Sequence, residues 1–112
     1  MLFIPDIDSW DDWDRQGTRI ENEIAKVDVA YLDGTFFANG EIPGRDMSRF
    51  PHPFIRTSMD RFQRLPESER RKIRFIHFNH TNQALWAETK VRKEIESAGF
   101  RVAEEGERVE LQ

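Results

Sequence analysis

The chain predicts an α/β fold, a sheet whose first three strands run parallel with helices in the connections. Three observations carry this. Short apolar runs alternate with segments whose apolar residues recur at helical spacing. The run from Ile73 to Phe78 is apolar on both sides, Ile73 and Phe75 against Ile76 and Phe78, the pattern of a central strand buried on both faces. Finally, three such runs pass straight into a polar residue, at Asp6, Asp33 and His77, and the carboxyl ends of strands are where open α/β sheets bind ligands.

In order, Met1 to Pro5 reads as a short buried strand that stops at Pro5, which has no N–H to give a ladder. Ser9 to Arg15 is acidic and aromatic. Ser9 suits a helix N-cap, Asp11 and Asp12 suit its first turn, and Trp10 and Trp13 pack back on the sheet. Ile20 and Ile24, four apart with Glu21 and Glu23 facing outward, fit a short amphipathic helix within Thr18 to Lys26. Val27 to Leu32 is the second strand, closed by Asp33-Gly34-Thr35. A long glycine- and proline-rich loop follows and brings His52 to the start of a helix that Pro53 opens. Phe54, Ile55, Met59, Phe62 and Leu65 keep helical spacing through it. A charged turn from Pro66 leads to the Ile73–Phe78 strand. Beyond the polar group His77 to Asn82, a helix from Glu88 to Ala98 buries Val91 and Ile95, exposes a Glu88/Arg92 pair and ends at a Gly99 C-cap. Phe100–Ala103 and Arg108–Leu111 form a closing hairpin around Gly106.

The 112 residues fit one domain, 1–112, and the absence of cysteine excludes disulfides, thiolate metal sites and cysteine nucleophiles. Any metal site must use His, Asp or Glu. A net charge of -4 gives no electrostatic reason to expect nucleic acid, and the basic stretch from Arg56 to Arg74 reads as a solvated helix face. No apolar run approaches the roughly 18 to 20 residues of a membrane span, and the opening residues are too short for a signal peptide, so a cytoplasmic location is expected. A strand that starts at Met1 is expected to belong to the second half of something longer.

Each candidate also has a structural reading. Asp6 can cap the following helix, Asp33-Gly34 is a turn signal, His52 can be a loop histidine, and His77 can be a core histidine bonded to backbone. Asn79, His80 and Asn82 either contact substrate or satisfy backbone groups around a sharp turn.

Leu2 to Asp6, Val27 to Phe36, a histidine at 52 opening a helix, and Phe75-Ile76-His77-Phe78-Asn79 together resemble the C-terminal half of metallo-β-lactamase-fold hydrolases. Within that group the chain is most similar to the pyrroloquinoline quinone biosynthesis protein B branch, which carries related Asp-Gly-Thr and Ile-His-x-Asn-x-Thr-Asn segments. The resemblance implies half of an αββα sandwich, one mixed sheet with helices on one face. The other face would be covered by the N-terminal half, leaving an apolar surface with Phe3 or Phe75 among its candidates. It also implies that Asp6 bridges metals, that His77 is the last histidine ligand, that His52 assists proton transfer to the leaving group, and that Asp33 is an acid behind the ligands. His80 departs from the branch, which often has Asn there.

The implied cofactor is a divalent metal, zinc first, with manganese or iron as alternatives. The family's histidine-rich motif is missing, since the chain has only His52, His77 and His80. Asp6 and His77 alone cannot hold a catalytic zinc, which takes three protein ligands and a water. Three functional readings result. One is part of a metal-dependent hydrolase of esters, lactones, amides or phosphodiesters, inactive alone. Another is a quinone-biosynthesis protein acting on a small-molecule or peptide-derived precursor. The third is a non-catalytic assembly module that pairs with a missing N-terminal half or with a second copy.

Overall fold

The computed structural model describes residues 1–4, 7–48, 50, 52–79, 81–85 and 89–103. Strand β1 is Leu2–Ile4, followed by helices α1 (Trp10–Arg15) and α2 (Ile20–Ala25), then β2 (Ala30–Asp33). The long loop leads to α3 (Ile55–Phe62) and a short α4 (Glu67–Arg70). After β3 (Ile73–Ile76) comes a 3-10 turn at Gln83–Leu85, then α5 (Lys90–Ser97) and β4 (Arg101–Val102). Asp6, His80, Glu88 and the second arm of the closing hairpin lie outside the described residues.

The four strands lie in the order β1-β2-β3-β4 and all pair in parallel. The antiparallel strand that would make the sheet mixed is Arg108–Leu111, outside the described residues. Register sorts the side chains cleanly. Ile4, Leu32, Phe75 and Val102 align on one face, with Ala30 and Ile73 in the row before them, and all are buried. Ile20, Ile24, Ile55, Met59, Phe62 and Ile95 from the helices join the same core, so the helices cover that face.

The opposite face carries Phe3, Tyr31, Arg74 and Arg101 in one row. Phe3 is 61% exposed and Arg101 is exposed, while Tyr31, Arg74 and Ile76 are half-buried. The expected uncovered apolar face is therefore present at Phe3, whose ring meets Tyr31 edge-on at 6.3 Å. Phe75 is a correction, because its parity places it in the core at 0% exposure. For the same reason β3 is buried on one face only, and the two-faced apolar pattern at 73–78 overstated its burial. That strand also ends at Ile76 rather than Phe78, because His77 takes a positive φ of 65°.

Local signals mostly hold. Ser9 caps α1 by accepting the Asp12 N–H at 3.1 Å, and Trp10 is buried with its indole N–H donating to Ser58 at 2.8 Å. The last turn of α5 closes on Gly99, φ 93°, with the Phe100 N–H reaching the Ile95 carbonyl at 3.2 Å. Helix α3 begins at Ile55, later than Pro53, and β2 begins at Ala30, later than Val27. Arg92 is a second correction. It is 6% exposed, lies against the core and donates to Glu96 at 2.9 Å, one turn on, rather than lying on the solvent side. No helix among the described residues is long and apolar enough to cross a membrane.

Arg61 on α3 ties the helical layer together. Its guanidinium donates to both Asp14 oxygens on α1, at 3.0 and 2.9 Å, and to both Glu21 oxygens on α2, at 2.8 and 2.9 Å. The hydrogen bond from Arg61 holds Asp14 below the ordinary carboxylate range. At Glu21 burial pushes upward, but the Arg61 hydrogen bond and charge outweigh it and the net shift is down. Because both carboxyls are lowered in the folded state, this contribution is full at neutral pH and is lost as pH falls through their lowered range.

Gly34 is where β2 must pass closest to β3. A Cβ there would sit 2.9 Å from the Ile76 carbonyl oxygen, 2.9 Å from Phe75 Cβ and 3.0 Å from Phe78 Cε1. Backbone cannot yield as a flexible side chain does, so Gly34→Ala is expected to destabilise the chain by about 1 to 3 kcal/mol in urea denaturation. An unchanged midpoint would show that the approach is looser than this.

Candidate functional site at the carboxyl end of the sheet

The site is built on Asp33, the last residue of β2. By strand alternation it shares the face of Tyr31, yet it is completely buried because three segments close over it. Its Oδ2 accepts the Ile7 N–H at 3.1 Å, and its Oδ1 accepts the Thr35 N–H at 2.9 Å and the Thr35 hydroxyl at 2.8 Å. His52 Nδ1 lies 2.8 Å from Oδ2, an approach that requires Nδ1 to carry a proton. The carboxylate thereby joins the chain leaving β1, the end of β2 and the long loop.

His77 follows β3 directly. The residue is exposed, its Nδ1 lies 3.1 Å from Thr35 Oγ1, and its ring centroid is 6.2 Å from that of His52. His77 is thus not the core histidine of the structural reading. The left-handed backbone at this residue turns the chain off the strand and into the site, a conformation that costs of order 1 kcal/mol or more outside glycine.

The amides after His77 hold the floor. Asn82 is 0% exposed, donates from Nδ2 to the Gly34 carbonyl at 2.8 Å, and accepts the Ala84 N–H at 3.0 Å on Oδ1. Of the two roles weighed for it, satisfying backbone groups is the one this geometry describes. Asn79 is half-buried, donating its N–H to the Thr35 carbonyl at 2.8 Å and its Nδ2 hydrogen to Thr81 at 2.7 Å.

Sequence reasoning gave no role to Thr35 or Glu41. Glu41 accepts the Phe37 N–H at 2.8 Å and the Thr81 hydroxyl at 2.5 Å, pinning the loop to the turn after β3. Only Thr35 carried a signal, a hydroxyl two residues after an aspartate. Beside His52, a groove of about 790 Å³ opens between the start of α1 and α3, lined among others by Trp10, Arg19, Phe50, Phe54, Asp60 and Arg64. His77 does not line it, so His52 stands between the groove and the strand ends.

In the sheet β2 lies between β1 and β3, so Asp33 stands between the ends of those two strands. Asp6 and His80 themselves lie outside the described residues. Among the described residues no group of three His, Asp or Glu side chains could hold a metal ion. Asp33 is taken up by its own hydrogen bonds, and the imidazoles of His52 and His77 are two donors where a catalytic centre takes three, so the described residues do not fit a complete metal centre. What the arrangement can do is hold His52 as a carboxylate-oriented imidazole, with Nε2 as the nitrogen that exchanges protons.

Removing the carboxylate strands the Ile7 N–H, the Thr35 N–H and His52 Nδ1 together. At about 1 kcal/mol or more for each unpaired donor, Asp33→Ala is expected to cost about 3 kcal/mol or more of stability in denaturant titration. A loss under about 1 kcal/mol would contradict the hub.

No protein-family model matches the chain. A curated relative, "Coenzyme PQQ synthesis protein B" from Gluconobacter oxydans (strain 621H), is 27% identical over 111 residues, covering 95% of this chain and 34% of that protein. Among solved structures, Zn(2+)-bound PqqB from Methylobacterium extorquens matches with a TM-score of 0.69 at 23% identity, over 97% of this chain and 36% of that one. The chain therefore spans about a third of the length of these relatives. In sequence and in fold it is similar to one part of PQQ synthesis protein B, and its parallel sheet with helices is a partial metallo-β-lactamase fold.

Proposed function

We propose that this chain acts within coenzyme PQQ synthesis, as the segment of a protein B-like enzyme that presents His52 and His77 to a peptide-derived quinone precursor. The observation that supports this is the continuity of the similarity. It covers 95% of this chain and does not rest on one motif.

In this reading His52, oriented by Asp33, moves a proton to or from the precursor, and the groove beside it takes part of that molecule. His77 is this segment's contribution to a divalent metal such as zinc, with Asp6 and residues beyond the described ones as further ligands. The described residues do not complete that centre, so no chemical step is assigned to a metal. The uncovered sheet face around Phe3 and Tyr31 pairs with the remainder of a longer protein. Metal-dependent hydrolysis is the second reading; the fold alone favours it, whereas the name of the sequence relative points to cofactor synthesis.

The test is a chimera in which this chain replaces the matching third of the Gluconobacter protein, in a strain lacking its own copy, with PQQ output measured. Restored output is expected, and His52→Ala in the chimera should lower it by about 100-fold or more, the usual worth of a positioned acid or base. A soluble, folded chimera that restores nothing would count against the reading.

A further inference from the structure

We infer that Thr35 is a positioning residue that fixes the ring tautomer of His77, placing the proton on Nδ1 and leaving Nε2 as the lone-pair nitrogen of an exposed residue. The argument is proton accounting around one hydroxyl. Thr35 Oγ1 lies 2.8 Å from Asp33 Oδ1 and 3.1 Å from His77 Nδ1, and it has a single proton to place.

If that proton pointed at His77, the hydroxyl and carboxylate oxygens would face each other at 2.8 Å with nothing between them, two acceptors in contact at a fully buried carboxylate. The hydroxyl therefore donates to Asp33, the stronger, charge-assisted bond. It can then only accept from the imidazole, so His77 Nδ1 carries the hydrogen. His52 does not take over this part: its Nδ1 is 3.4 Å from Thr35 Oγ1 but 2.8 Å from Asp33 Oδ2, where its own proton goes.

The Thr35–His77 approach is built from both sides. The Thr35 carbonyl accepts the Asn79 N–H at 2.8 Å and lies 3.4 Å from Asn82 Nδ2, which fastens Thr35 to the turn that follows His77. On its other flank the Thr35 N–H is held by Asp33 at 2.9 Å. The positive φ of His77 then sets the ring against the hydroxyl. Asp33 thus orders His52 directly and His77 through Thr35, and both rings end in the same tautomer. The use of His77 Nε2 toward a cation or a substrate proton rests on the function proposed above, whereas the tautomer itself does not.

The test is long-range proton–nitrogen NMR of the 15N-labelled chain at about pH 8, above the ordinary imidazole pKa of roughly 6.5, where protonated and bare ring nitrogens are distinguished for each histidine. The native chain and Thr35→Ser, which keeps the hydroxyl, are expected to show His77 with hydrogen on Nδ1. Thr35→Val, similar in shape but without the hydroxyl, is expected to lose that preference and shift toward hydrogen on Nε2. Hydrogen on Nε2 in the native chain, or an unchanged Nδ1–H form in Thr35→Val, would overturn the inference. If Thr35→Val does not fold, the native and Thr35→Ser spectra still decide it, since Nε2–H in either one overturns it. The outcome is independent of PQQ output, so failure here and failure of the proposed function are separately visible.

Discussion

The buried carboxylate of Asp33 is the constraint on which the rest of the site depends. A carboxylate sealed from water is costly unless its lone pairs are filled, and here they are filled by main-chain N–H groups of Ile7 and Thr35, the Thr35 hydroxyl and His52. Those partners come from three different segments, so satisfying one charge fixes the exit of β1, the turn after β2 and the far end of the long loop at once. The loop of some twenty residues between Asp33 and Ile55 has no helix or strand among its described residues. It is ordered by such anchors, Asp33 to His52 at one end and Glu41 to Thr81 in the middle.

The layout of the sheet explains why these groups meet. With all described strands parallel, their carboxyl ends lie on one edge, and β2 places Asp33 between the ends of β1 and β3. Gly34 lets the chain pass directly over the end of β3, where any side chain would strike the Ile76 carbonyl. His77 then leaves the strand in a left-handed turn. The helices, three of them locked together through Arg61, cover the opposite face, so the polar cluster sits at the margin of a sheet surface that still carries the exposed Phe3 ring.

Much of this was legible in the residues. Alternation of apolar runs and helical spacing located every described strand and the main helices, and the Ser9 cap and the Gly99 terminus follow from local chemistry that needs no tertiary context. Parity was less reliable. Ile76 and Phe78 made β3 look buried on both faces, because composition cannot distinguish a covered face from an open one that carries apolar residues. Arg92 was misplaced for a related reason: its long stem can lie against a core while its head reaches Glu96. Asp33, His52 and His77 were singled out, but the group that links them was not. A threonine two residues after an aspartate signals only a local turn, whereas its part here is set by contacts across 17 and 42 positions of sequence.

The account stands on Asp33 holding separate segments in one place, and native-state hydrogen exchange reads that directly. The amides of Ile7 and Thr35 belong to no helix or strand, and among the described residues the hydrogen-bond acceptor of each is this carboxylate. They are expected to exchange as slowly as the amides that pair β2 with β3, opening only when the sheet opens. Exchange of Ile7 and Thr35 at the rate of free loop residues, while the sheet stays protected, would contradict it.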